Sequence, residues 1–292
     1  MRIVVSTPTG NIGRGVAERL LDRGADVILI HRDPIRIGDL AERGAQVRQG
    51  SLDDEAFLAA ATAGADTLFW VTPIAPLAAN LRAAQNQFGV AAAGAVQANG
   101  IGRVVNISSI GAQHDEGTGP VAGLHDVEEM LDATGADVLH LRPGFFFENY
   151  VVQVQVIKAM GAIMMPVPGE ATMPMIATRD IAEVAAATLL DEDWSSAVLE
   201  LHGPADLSFD EAAAAIAEAI GREAPHTEVD EMQARVGWSM MGLGHGVIDS
   251  FLELYGAIAS GHLRAEGPRT PETTTPTTLA EWAAEVLAPR FE

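Results

Sequence analysis

Ile3-Val4-Val5-Ser6-Thr7-Pro8-Thr9-Gly10-Asn11-Ile12-Gly13 is the stretch on which the reading of this chain turns. Three consecutive β-branched residues make a short strand, Ser, Thr, Pro and Gly follow, and apolar residues then recur at helical spacing over 13–23. A turn leading from a strand directly into a helix aims unpaired backbone N–H groups, and the positive end of the helix dipole, at whatever lies above it. A pyrophosphate is the expected occupant. Gly10 lets the backbone approach the phosphates and Gly13 lets the helix pack closely on the strand, with Thr7, Thr9, Asn11 and Ile12 completing the cradle. A Gly-x-x-Gly is a weak signal in a chain with 29 glycines; its place between a strand and a helix gives it weight.

Working outward, further β-rich runs occur at 26–31, 46–48, 66–72, 103–108 and 137–142, separated by helical patterns at 54–63, 76–99 and 122–134. The strand runs are nearly continuous in apolar residues, as when helices cover both faces of a parallel sheet. The expected class is α/β, a Rossmann-type doubly wound parallel sheet with a smaller, mostly helical C-terminal lobe. We place the nucleotide-binding domain at 1–150 and a substrate or lid lobe at 151–292, with a strand at 197–202 returning to the sheet. Within the lobe, 164–175 is rich in Met, Pro and Gly. Helices are expected from near Thr178, over 211–220 behind Ser208 or Asp210, over 247–259 and over 279–287, and 267–278 reads as a loop.

The second strand should end at Ile30, so the residues that meet the adenosine ribose are His31 and Arg32. An acidic residue here would bind a ribose 2′-hydroxyl and repel a 2′-phosphate, whereas Arg32 offers that phosphate a charged fork. NADP(H) is therefore favoured over NAD(H). Arg36 adds a second cation, although the alternative for both arginines is a solvated surface with Asp33 and Asp39 as partners.

Eighteen Lys plus Arg against forty Asp plus Glu give a net charge of -22, which repels phosphate backbones, so no nucleic-acid partner is expected. No apolar run reaches the roughly 18 residues that a membrane span needs, and the first strand begins at once, so a cytoplasmic protein without membrane attachment is expected. Cysteine is absent, which excludes disulfides, a thiol nucleophile and cysteine-based zinc sites. Histidines do not fall at ligand spacing, so no metal is expected either. Redox chemistry must come from a bound cofactor, and the partner is a small molecule. The oligomeric state stays open.

Several segments together resemble the NmrA-like branch of the atypical short-chain dehydrogenase/reductases. They are Thr9-Gly10-Asn11-Ile12-Gly13, Val47 to Asp54, Val105-Asn106-Ile107-Ser108-Ser109, Leu141-Arg142-Pro143-Gly144-Phe145-Phe146-Phe147-Glu148-Asn149, Arg179-Asp180-Ile181-Ala182 and Thr278 to Trp282. The resemblance implies that Ser51 and Leu52 lie against the adenine and that Val71, Thr72 and Pro73 border the adenosine and pyrophosphate. It also implies that Pro143, Gly144, Phe145 and Phe146 approach the nicotinamide. Some such proteins are quinone or enoyl-type reductases, and others sense the redox state of the dinucleotide without turnover. Two departures stand out: Thr7 occupies the place of the first fingerprint glycine, and Ser51 stands where relatives commonly have Asp. The Tyr-x-x-x-Lys pair of ordinary short-chain dehydrogenases is also missing, with Val121 at the tyrosine position and His125 at or near the lysine position.

Reducing an isolated carbonyl normally needs an acid for the developing alkoxide, whereas a quinone yields a stabilised phenolate. The expected activity is thus NADPH-dependent reduction of a quinone-like or conjugated carbonyl compound. His125 is the titratable candidate at the nicotinamide end, with Glu128 one turn on and Ser108 or Ser109 at the end of the fifth strand; it serves in proton transfer, or only in holding a ribose hydroxyl or capping a loop. His245 would line the lobe or lie in a mobile loop. Met164, Met165, Met173 and Met175 would form a pocket wall or fill core. Two other functions compete: a non-catalytic NADP(H)-sensing regulator that binds a partner protein, and an isomerase or lyase with a structural dinucleotide.

Overall fold

The computed structural model describes residues 1–191 and 193–292. From the N-terminus come β1 (Arg2–Val5), α1 (Asn11–Asp22), β2 (Asp26–His31), α2 (Gly38–Glu42), β3 (Gln46–Gln49), α3 (Glu55–Ala61), β4 (Thr67–Val71), α4 (Leu81–Asn99), β5 (Arg103–Ile107), α5 (Pro120–Asp132) and β6 (Asp137–Pro143). The chain continues through β7 (Phe145–Phe146), α6 (Gln153–Met160), β8 (Ile163–Met165), β9 (Thr172–Ile176), α7 (Thr178–Leu190) and β10 (Ala197–Leu201). It ends with β11 (Asp206–Ser208), α8 (Phe209–Ile220), β12 (His226–Glu228), α9 (Glu231–Met240), α10 (His245–Ala259) and α11 (Leu279–Trp282), which runs on as a π-helical turn to Leu287.

Seven strands pair in parallel in the order β3-β2-β1-β4-β5-β6-β10. This is the doubly wound sheet expected from the alternation of strands and helices. Alternate residues of each strand serve opposite faces. Ile3 and Val5 join Leu29, Phe69 and Val105 in a core with α1 and α7, while Val4 joins Ile28, Leu68 and Val104 in a core with α3, α4 and α5. Both sides being covered, the strands read as unbroken apolar runs. Of the segment 151–292, α7 and β10 thus pack with the first half: Gly15 of α1 meets Ala182 of α7 so closely that a Cβ at Gly15 would lie 2.9 Å from the Ala182 Cβ.

The rest of the C-terminal part packs on a further core shared with Ile110, Ala112 and Val121 of the first half, which holds Phe145, Phe147, Tyr150, Phe209 and Trp282 with Met165, Met173 and Met175. The Met/Pro/Gly-rich stretch is ordered. It closes β8 and contains β9, which pairs with β7 and β11.

One expected helix is shorter than its pattern. The spacing over 76–99 suggested a single element, but α4 starts at Leu81, after the Asn80 side chain accepts a hydrogen bond from the Ala83 N–H. Pro76 to Ala79 stays a loop because α10 docks on it: Gly244 N–H donates to the Pro76 carbonyl at 2.8 Å, and a Cβ at Gly246 would meet the Ala79 carbonyl oxygen at 2.1 Å. Tertiary contact overrides the local pattern here. Among the described residues no helix is long and apolar enough to cross a membrane.

Candidate functional site

The strand order reverses between β1 and β4, and in such sheets the crevice outside the strand ends at that point is the ligand site. Beyond Val5 and Phe69 the two strands are joined through Ser6, a residue sequence reasoning did not single out. Ser6 is fully buried, its N–H donates to the Phe69 carbonyl, and its Oγ accepts from the Val71 N–H at 2.8 Å. A serine replacing a backbone partner at the strand end is the only signal it left.

The chain then turns sharply. The Thr7 carbonyl accepts from the Gly10 N–H at 3.0 Å, and Gly10 caps α1 without any side-chain bond, so the first helical amides stay open. Gly13 is required: a Cβ there would lie 2.4 Å from the Thr7 carbonyl oxygen and 2.8 Å from that of Ser6. Gly10 is less constrained, its nearest contact being 3.5 Å. Asn11 is exposed and Ile12 is buried in the core beneath.

Next to this turn β2 runs to His31, one residue beyond the expected end. The His31 Nε2 lies 3.2 Å from the Thr9 hydroxyl, and Nδ1 lies 2.7 Å from the Asp33 carbonyl and 3.0 Å from its amide nitrogen, so the ring is held on both sides. Arg32 and Arg36 are exposed and have no ion-pair partner among the described residues. Neither aspartate neutralises them: Asp33 caps the turn through the Ile35 N–H, and Asp39 pairs with Arg14, whose hydrogen bond holds the Asp39 carboxyl below the usual carboxylate range.

The other named residues stand at successive strand ends. Ser51 is half-buried after β3, and Leu52 is buried with Trp70 in the core under α3. Val71 and Pro73 are half-buried beside Thr72, whose hydroxyl accepts from the Trp70 Nε1–H at 3.0 Å. Ser108 follows β5 with its N–H on the Leu141 carbonyl and its Oγ buried without a partner. A buried unsatisfied hydroxyl at a strand end fits a missing ligand or water. Beyond β6, Pro143 is buried, and Gly144 is pressed against β9, where a Cβ would lie 2.1 Å from the Pro174 carbonyl oxygen. The Phe145 ring packs edge-on to Tyr150 and Phe209 inside the lobe, while Phe146 packs on the α1/α7 face of the sheet core.

His125 sits one turn into α5, and its Nδ1–H donates to the Ala112 carbonyl at 2.8 Å. In the neutral ring this leaves Nε2 as an acceptor, 3.5 Å from the Glu129 carboxylate. Glu128 does not face it, because Arg142 binds Glu128 with two hydrogen bonds beneath the helix. Val121 is buried against Ile110, and Ser109 Oγ donates to the Ile110 carbonyl. His245 is exposed in the first turn of α10, while Met164 is half-buried and the other three methionines fill core. His125, Asp126 and Glu129 come within 4.8 Å of one another, but Asp126 already accepts from Arg82 twice and from Asn86.

A separate cavity of about 300 Å³ lies between the starts of α4 and α5 and the face of α10, lined by Asn80, Arg82, Glu116, Gly119, Asp249 and Glu253 among others. Another anchor that sequence reasoning missed is Glu148. Its carboxylate accepts from the Thr178 N–H at 3.0 Å and from Trp282 Nε1–H at 3.1 Å, tying the residues after β6 to α7 and to the closing helix.

The reversal point, the open helix amides and the glycine that a side chain cannot replace define a Rossmann-type protein. Its family follows from comparison: the chain belongs to the NmrA-like family, whose model matches residues 1–253. It is 30% identical over 283 residues to an NAD(P)H azoreductase of Xenophilus azovorans, covering 96% of each chain. With quinone oxidoreductase 2 of Escherichia coli it shares 26% identity over 253 residues, 85% of this chain and 84% of that one. Among solved structures, the NADPH complex of the Escherichia coli NADPH-dependent quinone oxidoreductase superposes with a TM-score of 0.83 at 23% identity, covering 98% of this chain and all of that one. The Citrobacter sp. triphenylmethane reductase complexed with NADP(H) gives 0.81 at 20% identity, covering 99% and 100%. These likenesses establish the fold.

Proposed function

We propose that the chain binds NADP(H) along the C-terminal ends of β1 to β6 and reduces a quinone-like or otherwise conjugated acceptor. The observation that carries the reading is the pair of guanidinium groups, Arg32 and Arg36, without an ion-pair partner among the described residues, near a strand-to-helix turn whose first helical amides no side chain caps. Backbone amides of 11–13 and Ser108 Oγ would hold the pyrophosphate and nicotinamide ends, and Arg32 the 2′-phosphate. When bound, the reduced nicotinamide supplies the hydride. The relatives named above act, by their names, on azo compounds, quinones and triphenylmethane compounds, all of them conjugated acceptors.

Among the described residues no phenol stands where a short-chain dehydrogenase carries its tyrosine: Val121 is buried there, and the Nδ1–H of His125 donates to the Ala112 carbonyl. A conjugated acceptor tolerates this, because negative charge formed on hydride addition is delocalised and water can protonate it afterwards. The same feature favours a second reading, an NADP(H)-responsive regulator without turnover. Oxidation of NADPH measured across a panel of quinones and enones, with binding titrated in parallel, separates the two: binding without oxidation favours the regulator.

A further inference from the structure

α5 carries His125, Asp126 and Glu129, and among the described residues these form the one group of three histidine or carboxylate side chains whose ligand atoms come within 4.8 Å of one another. Histidine spacing alone, on which no metal was expected, does not register such a mixed set. His125 and Glu129, four residues apart, share a helix face. In the ring tautomer that donates Nδ1–H to the Ala112 carbonyl, Nε2 is an acceptor, and it lies 3.5 Å from a Glu129 carboxylate oxygen. Two acceptors at that distance repel unless a cation joins them. A divalent transition ion does so at the right scale: bonds of about 2.0–2.2 Å to nitrogen and oxygen, at a tetrahedral angle, separate two ligand atoms by about 3.4 Å. The Ala112 carbonyl orients the ring as backbone acceptors behind metal-binding histidines do.

Asp126 is shared. Its Oδ2 accepts from Arg82 Nε and from Asn86, whereas Oδ1 accepts only from Arg82 Nη2 among the described residues and so keeps a lone pair. The hydrogen bond to Asp126 holds the Arg82 pKa above its ordinary value against the effect of burial, and the charges of Asp115 and Glu116 add to this, so the surroundings of that guanidinium are acidic.

We infer that His125 and Glu129, with Asp126 as a third, contested ligand, bind one divalent transition cation of the zinc class. Imidazole beside carboxylate selects such an ion over magnesium or calcium, which take oxygen ligands. Occupancy uses the Nε2 lone pair, so a bound metal and any uptake of a proton by that nitrogen exclude one another. The site is defined without the dinucleotide and is tested without it.

The full chain is titrated calorimetrically with zinc chloride, alone and in the presence of magnesium chloride. One zinc per chain is expected, with a Kd on the order of 10 µM, since a three-ligand site contested by Arg82 binds more weakly than a four-ligand structural one. His125→Ala and Glu129→Gln should each weaken zinc about tenfold or more. The Glu129 side chain is 72% exposed, so Glu129→Gln should leave the thermal unfolding of the metal-free chain unchanged and report on the site alone. His262→Gln, which removes one ring of the stacked His114–His262 pair, should leave zinc affinity as it is. Absence of zinc binding overturns the inference, as does zinc binding that Glu129→Gln leaves unaltered or that His262→Gln abolishes. Equal competition by magnesium also overturns it, because the acidic surface at large would then account for the effect.

Discussion

Arg142 clasps Glu128 through Nε at 2.9 Å and Nη2 at 2.5 Å, and the pair is buried, with 13% and 6% of the side chains exposed. The pair joins β6 to the underside of α5, the helix that carries His125. Glu128→Ala would leave a buried guanidinium without its carboxylate, a change that typically costs about 3–5 kcal/mol. Removing both charges with Glu128→Leu and Arg142→Met should recover most of that loss. Urea unfolding of the two variants checks this; equal losses would mean that the pair is held for its packing and not for its charge.

His202 follows β10 with 2% exposure, and neither ring nitrogen has a hydrogen-bond partner among the described residues. Burial pushes its pKa below the ordinary histidine value, Arg269 adds to the effect, and Glu200 and Asp206 partly oppose it. The folded chain therefore resists protonation more than the unfolded chain does. Below about pH 6.5 the unfolded state binds the extra proton, so this group's contribution to stability is intact above that pH and is lost as pH falls through the depressed folded value. Unfolding midpoints measured between about pH 5 and 7.5 should fall on the acid side, and His202→Leu should flatten that fall. An unchanged slope in the variant would assign it to other groups.

The sheet was legible because burial on both faces leaves a direct trace, unbroken β-branched runs such as Ile3-Val4-Val5. The tight strand-to-helix turn was legible from Gly13 for the same kind of reason: one close approach dictates one residue type. What stayed hidden depends on partners far apart in sequence. Glu128 lies at helical spacing from His125 but is drawn to Arg142, 14 residues on. Glu148 appeared only as part of a family segment, while its function as a strut needs Thr178 and Trp282. The start of α4 was misplaced because the docking of Gly244 and Gly246 on Pro76 to Ala79 has no local signature. Phe145 read as a nicotinamide neighbour, yet its ring fills the lobe core with Tyr150 and Phe209.

The Arg32 guanidinium has no ion-pair partner among the described residues, and this sets an expectation for cofactor choice. Arg32→Glu removes a cation from the end of β2 and places an anion there. NADPH binding should weaken far more than NADH binding, with the preference changing about tenfold or more, since a charge-assisted contact contributes roughly 1.5–3 kcal/mol. Fluorescence titration of both cofactors reads the ratio directly. Equal losses, or none, would show that Arg32 does not meet the 2′-phosphate and would shift attention to Arg36.

The last expectation concerns chemistry. The described geometry provides no phenol at the position of Val121, and the Nδ1–H of His125 already serves the Ala112 carbonyl. NADPH oxidation should therefore be faster with small quinones than with simple aldehydes and ketones, because only the latter demand a strong acid as hydride adds. His125→Ala should lower kcat only modestly if the ring does no more than fix the loop after β5 and a ribose hydroxyl. A loss of roughly a hundredfold in kcat, with cofactor affinity unchanged, would instead make it a proton-transfer group in the rate-limiting step. The measurement is steady-state absorbance of NADPH, with binding titrated separately so that lost affinity is not taken for lost chemistry. Efficient reduction of isolated ketones would sink the argument from the absent acid, since some group on this chain would then have to protonate a localised alkoxide.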